Sequence, residues 1–193
     1  MQEFSFNRSW TPALDDKARR LEWILLDVDG VLTDGRIHLS PEGELFKTFH
    51  VRDGLAIKLA RAAGLSVGIL SARASEIVAR RAAELDFAEV IQGREDKAAA
   101  FRELLDRRDL APERVAYVGD DLQDLPVLRA VGLSAAPADA AQEVRAAVDF
   151  VTAAEGGRGC VRELVERILV ARDAWSEILR RFAARDASDA SIR

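Results

Sequence analysis

The sequence predicts an α/β fold, a doubly wound three-layer sandwich around a central parallel sheet. Three observations lead there. Strand-like and helix-like runs alternate from about residue 21 onward. The strand-like runs are continuously apolar rather than alternating, as in a parallel sheet covered on both faces. Residues able to carry chemistry recur just after those runs, where a doubly wound sheet places its sites.

Residues 1–20 precede the alternation and read as an N-terminal extension; they carry Glu3, Arg8, Asp15 and Asp16 and no apolar run, so no signal peptide is expected. Residues 23–26 form the first strand. Residues 34–52 break the pattern: 36–40 and 44–50 flank Pro41-Glu42-Gly43 and read as a β-hairpin. An isolated hairpin is marginal in water, and this one carries Ile37, Leu39, Phe46 and Phe49. It is therefore expected to pack on something, and a neighbouring subunit is the favoured surface.

A helix is expected over 54–63, stopped by Gly64. Strands follow at 65–70, 89–91, 115–118, 132–135 and 149–151, with helices at 74–85, 96–108, 122–130 and 139–146 between them. Gly156-Gly157-Arg158-Gly159 is a loop before an amphipathic helix expected from about 160 to 182. The small, polar stretch 183–193 is expected to be disordered. The main domain is thus 21–182.

Composition bounds the function. A chain of 193 residues with 49% hydrophobic and 32% charged residues fits one soluble globular domain. A net charge of −5 argues against a nucleic-acid groove or an acidic membrane surface as partner. The single Cys160 excludes an intrachain disulfide and a cysteine metal cage, and His38 and His50 are too few for a histidine zinc site. No run is apolar enough to span a bilayer. A cytoplasmic protein is expected.

The chemistry begins where the first apolar strand ends, in Asp27-Val28-Asp29-Gly30. Residues two apart on a strand share a face, so both carboxylates are expected to aim at one spot. Two such charges about 4 Å apart repel by roughly 4 kcal/mol at an effective dielectric near 20. A cation, a shared proton or solvent must offset that. Ser71 follows the second long strand, Lys97 opens a helix, and Asp120, Asp121 and Asp124 follow Tyr117-Val118-Gly119. Alone, each has an ordinary reading: Ser71 as a helix cap, Lys97 as a solvated side chain, Asp121 and Asp124 as complements of a helix dipole. Together, at strand ends of one sheet, they make an acidic cluster with one hydroxyl and one lysine. Acidic oxygens suit Mg²⁺; a hydroxyl and a lysine suit phosphate.

The ordered set Asp-x-Asp, Ser, Lys, Gly-Asp-Asp-x-x-Asp resembles the haloacid dehalogenase superfamily of phosphohydrolases. That resemblance implies a HAD-like, Rossmannoid core and a two-step phosphoryl transfer. Asp27 would be the nucleophile and Asp29 the general acid and base. Asp27, Asp120 and the backbone carbonyl of Asp29 would hold Mg²⁺. Ser71 and Lys97 would bind the transferring oxygens. Asp121 would sit behind the metal, and Asp124 would support the loop. The spacings Asp29 to Ser71 and Ser71 to Lys97 leave no room for a cap domain.

The segments 27–35, Val51-Arg52-Asp53-Gly54, Gln92-Gly93, 117–121 and 156–159 narrow the resemblance to the 3-deoxy-D-manno-octulosonate 8-phosphate phosphatases. It implies a homotetramer built through hairpins, a site closed by a neighbour's C-terminal segment, and a role in lipopolysaccharide precursor synthesis. Carried over by position, His50, Val51, Arg52, Asp53, Gly54, Lys58, Arg73, Arg81, Asp29 and Lys97 would contact the sugar acid or its phosphate. This chain has Ser71-Ala72-Arg73 where that family usually has Thr-Gly-Arg, His50 where Asn is common and Lys58 where Arg is common. The alternatives are a sibling phosphatase for a nine-carbon sugar acid 9-phosphate, a receiver-type phospho-acceptor domain, and a non-catalytic assembly module.

Overall fold

A computed structural model describes residues 10–189. Six parallel strands form one sheet: β1 (Trp23–Leu26), β4 (Ser66–Leu70), β5 (Glu89–Ile91), β6 (Val115–Val118), β7 (Leu133–Ala136) and β8 (Phe150–Val151). Their order across the sheet is β5-β4-β1-β6-β7-β8. The chain winds outward from β1 to one edge, then returns to β6 and winds to the other. The reversal of winding lies at β1, where an open α/β sheet leaves its crevice. A second, two-stranded sheet is the hairpin β2 (His38–Ser40) and β3 (Gly43–Phe46).

Alternate strand residues feed two cores. Ile24, Leu26, Val67, Ile69, Ala116 and Val118 face α1 (Pro12–Arg19), α2 (Val51–Ala62), α3 (Glu76–Leu85) and α7 (Cys160–Ala171). Trp23, Leu25, Leu70, Val115 and Tyr117 face α4 (Lys97–Arg108), α5 (Leu125–Leu128) and α6 (Gln142–Ala147). Burying each such Leu, Ile or Val contributes roughly 1.5–3 kcal/mol. Both faces of β1 are closed, which is why its four residues read as one unbroken apolar run.

The strands and helices fall where the sequence puts them, within three residues at each end, except that the second hairpin strand, expected over 44–50, ends at Phe46. The other exceptions have physical causes. α1 lies in the stretch read only as an extension; Pro12 opens it, and Leu14 and Ala18 are buried. The segment expected as one helix over 122–130 is a 3₁₀ turn, Leu122–Asp124, followed by the short α5. The long C-terminal helix is two, α7 and α8 (Trp175–Asp189), broken at Asp173 with φ +58°. α8 carries residues 183–189, expected to be disordered; residues 190–193 lie outside those described. In the hairpin, Ile37, Leu39 and Phe46 are exposed, whereas Phe49 folds back onto its own core.

Candidate active site

The register of the sheet assembles the site. Leu26 pairs with Ile69 of β4 on one side and Val118 of β6 on the other. The residues just beyond, Asp27, Ser71 and Asp120, therefore emerge from three adjacent strand ends. The Asp27 amide still donates to the Val118 carbonyl at 2.9 Å. After it the chain winds round the Val28 carbonyl, which accepts from the amides of Val31, Leu32 and Thr33. Gly30 sits in this turn at φ +92°, and a Cβ there would lie 2.0 Å from Asp120 Oδ2. Only glycine lets the first loop lie against the third.

Asp27 continues the side-chain parity of Trp23 and Leu25 and so faces α4. There Lys97, at the first turn of α4, reaches Asp27 Oδ1 at 2.9 Å and Asp124 Oδ1 at 2.6 Å. Asp124 also accepts from the Tyr117 hydroxyl on Oδ1, and from the amides of Asp120 (3.0 Å) and Asp121 (3.2 Å) on Oδ2. Asp124 thus ties β6, its following loop and α4 into one unit. Asp121 is exposed and caps the 3₁₀ turn, accepting from Leu122 N at 2.7 Å. Tyr117 went unnoticed as a site residue. The signal for it was parity, since it lies on the face of β6 that Asp27 shares.

Three carboxylates, Asp27, Asp120 and Asp124, offer oxygens within 4.8 Å of one another, and a single lysine offsets them. The charge is unbalanced. Burial, then the attraction of Lys97 and the repulsion of Asp124, leave the Asp27 pKa raised to about 6. Burial and repulsion from Asp27 and Asp124 raise that of Asp120 to about 8. Burial pulls the Lys97 pKa down, but Asp27 and Asp124 outweigh it, so the lysine is held above its ordinary value and stays charged.

This donor set fits a hard divalent cation. Asp124 has its oxygens filled by four donors, so Asp27 and Asp120 are the carboxylates free to bind one. Asp27 Oδ1 is buried, with Lys97 Nζ 2.9 Å away.

Asp29 does not share Asp27's partner. The strand stops at Leu26, so the two-residue alternation expected of this pair lapses and Asp29 lies in the turn. Its Oδ1 meets Lys47 at 2.5 Å and its Oδ2 lies 3.5 Å from Arg73 Nε. Ser71 is buried, and its hydroxyl oxygen accepts from the Arg73 amide at 3.3 Å. It is no helix cap, because Ser75 caps α3.

The residues expected to hold the sugar form a second group, along α2 and α3. Val51, Arg52 and Lys58 are exposed, and His50 is half-buried at the start of α2. Asp53 is turned inward: its carboxylate accepts from the amides of Gly159 (3.2 Å) and Arg162 (2.7 Å) and caps α7. Gly54 packs against Arg81, where a Cβ would meet the guanidinium at 2.4 Å. Arg81 pairs with Glu84 at 2.7 Å and stacks over Phe49. A cleft of about 410 Å³ is lined by Lys47, Phe49, Val51, Arg80 and Arg81, and Lys47 joins it to Asp29 in the loop after β1. The glycine loop 156–159 braces the loop that follows β1: Gly157 N donates to the Val31 carbonyl at 2.9 Å.

The haloacid dehalogenase-like hydrolase family matches residues 70–164. The 3-deoxy-D-manno-octulosonate 8-phosphate phosphatase of Salmonella typhimurium is 43% identical over 167 residues, 86% of this chain and 89% of that protein. The chain belongs to this phosphatase family of the haloacid dehalogenase-like hydrolases. Solved structures agree with the fold described above. The phosphatase of Moraxella catarrhalis, in complex with magnesium ion, phosphate ion and a KDO molecule, is 35% identical with a TM-score of 0.87, covering 90% of this chain and 99% of that one. The cobalt-bound phosphatase of Haemophilus influenzae is 42% identical with a TM-score of 0.81, covering 83% of this chain and 94% of that one. As a family member the chain is an enzyme, which removes the receiver-domain and assembly-module readings.

Proposed function

We propose that this enzyme is a Mg²⁺-dependent phosphatase of 3-deoxy-D-manno-octulosonate 8-phosphate, acting through an aspartyl-phosphate on Asp27 in lipopolysaccharide precursor synthesis. The observation that carries the chemistry is the buried, charge-paired Asp27 facing Asp120 and Lys97 at adjacent strand ends. The substrate rests on the 43% identity to the Salmonella typhimurium phosphatase.

In this reading Asp27 attacks phosphorus in line, and the bond from phosphorus to the sugar oxygen breaks. Asp29 gives its proton to the leaving oxygen. Water then adds to the aspartyl-phosphate, Asp29 takes a proton from it, and Asp27 is released as carboxylate. Lys97, fixed by Asp124, and Ser71 hold the transferring oxygens. Asp27, Asp120 and the Asp29 carbonyl would hold Mg²⁺, which would supply positive charge to offset that of the nucleophile and phosphate. Arg52, Lys58, Arg73 and Arg81 supply cations, and His50 a ring nitrogen, toward a substrate bearing both carboxylate and phosphate.

The exposed apolar residues of the hairpin support a homotetramer assembled through β2 and β3. A cytoplasmic location accords with one unpaired, buried Cys160 and with no helix, among the described residues, being long and apolar enough to cross a membrane.

The test is phosphate release with Mg²⁺ from the eight-carbon 8-phosphate, the nine-carbon 9-phosphate and an aryl phosphate. A clear preference for the eight-carbon acid is expected, and loss of all turnover in Asp27→Asn. Preference for the nine-carbon acid would overturn the substrate assignment; activity in Asp27→Asn would overturn the mechanism.

A further inference from the structure

Lys47 reaches the catalytic loop from an element expected only to mediate assembly. It follows β3 directly, yet its side chain is 1% exposed. Nζ lies 2.5 Å from Asp29 Oδ1 and 3.0 Å from Glu44 Oε1. A lysine so enclosed is tolerated only when paired, and here both partners are fixed. Glu44 accepts a close hydrogen bond from the Ser75 hydroxyl. Ser75 in turn caps α3 through Val78 N at 3.3 Å, and its own amide donates to Gln92 Oε1 at 2.9 Å. Burial alone would raise the Glu44 pKa. The hydrogen bonds from Ser75 and Lys47 and the charges of Lys47 and Arg73 hold it below its ordinary value, so Glu44 is an ionised anchor. One polar chain therefore runs from α3 through the hairpin to the acid/base of the catalytic loop.

We propose that Lys47, anchored by Glu44, is a positioning residue for Asp29. It holds Oδ1, so that Oδ2, which lies at the longer distance of 3.5 Å from Arg73 Nε, is the oxygen that exchanges protons with the leaving group and then with water. The inference rests on the acid/base reading of Asp29 given above. Two of the three ammonium protons are engaged inside the protein, so Lys47 is not a free cation for the substrate's carboxylate, although it borders the 410 Å³ cleft. The proton balance is unchanged: the leaving alkoxide receives the Asp29 proton, and the attacking water returns one.

The experiment compares first-turnover alcohol release from two esters in wild type, Lys47→Met, Lys47→Arg and Glu44→Gln. One ester is an alkyl phosphate, whose leaving group must be protonated. The other is p-nitrophenyl phosphate, whose leaving group needs little help. Lys47→Met and Glu44→Gln are expected to slow alkyl release by about 10–100-fold with little change in KM, and to leave p-nitrophenolate release within about threefold of wild type. Lys47→Arg is expected to recover part of the loss. An equal fall on both esters would mean collapse of the site and would overturn the proposal. So would a rise in KM alone, which would mark Lys47 as a substrate contact. Should Lys47→Met fail to fold, Glu44→Gln decides by the same comparison. Because each variant is judged on the ratio of two esters, a wrong sugar assignment leaves this result intact.

Discussion

Lys97 Nζ lies 2.6 Å from Asp124 Oδ1, and neither side chain has any solvent exposure. The pair fixes the lysine that faces Asp27 against a buried carboxylate whose oxygens are already filled by other donors. Asp124→Ala leaves Lys97 paired with Asp27, but it strips the buried Tyr117 hydroxyl of its acceptor, and a buried donor left unsatisfied costs about 1–3 kcal/mol. The variant is therefore expected to lower unfolding free energy by about 1–3 kcal/mol in urea titration. It should also abolish turnover, since Lys97 loses the nearer of its two partners and the Tyr117 hydroxyl and the Asp120 amide lose their acceptor. Normal stability in this variant would show that Asp124 is not the organising group.

Stability of the metal-free protein should fall as pH rises. Asp27 and Asp120 have pKa values raised by burial, from 3.8 to about 6 and about 8. A carboxyl with a raised folded-state pKa binds more protons folded than unfolded, so stability declines through that window. The decline begins near pH 4 as unfolded carboxyls ionise and ends near pH 8. A bound divalent cation reverses the preference, and at 100 times its Kd it adds about 2.7 kcal/mol. Mg²⁺ is expected to raise the melting temperature far more at pH 8 than at pH 5. An equal effect at both pH values would place the ion elsewhere.

Much of this was legible because the apolar runs and the acidic strand ends coincide. Trp23 to Leu26 could be buried on both faces only in a covered parallel sheet, and Asp27, Ser71 and Asp120 follow from where such strands stop. Three things were not legible. The geometry of Asp29 depends on the strand ending at Leu26, a boundary that the apolar pattern leaves open. Lys47 and Glu44 lie in the stretch 44–50 expected as the second strand of the hairpin, and their burial depends on how the hairpin folds back over the loop after β1. Asp53 sits in a stretch that matches a sugar-binding segment by position, but its carboxylate caps a helix a hundred residues away, a contact no local pattern encodes.

That cap makes a separable prediction. Asp53 is buried, and burial raises its pKa against the hydrogen bonds from the Arg162 and Gly159 amides. Asp53→Ala leaves both amides without an acceptor at the start of α7, a loss of about 0.5–2 kcal/mol for a cap. Reduced unfolding free energy with a modest change in KM is expected. A large rise in KM at unchanged stability would return Asp53 to the substrate-binding group.

The hairpin gives the last prediction, and the structure decides which residues to change. Leu39 is 67% exposed and Phe46 46%, on strands that, among the described residues, pair only with each other. Phe49 is partly buried against its own core and under Arg81. Apolar surface of this kind, left in water, is ordinarily an interface. Leu39→Ser with Phe46→Ser is therefore expected to lower the sedimentation mass while leaving the monomer folded. Phe49→Ser is expected to do the opposite: stability falls by about 3 kcal/mol or less, as for a truncated aromatic that is only partly buried, and assembly persists in the fraction that folds. If the double variant keeps the wild-type mass, the hairpin is not the interface, and its apolar side chains serve only to carry Lys47 to Asp29.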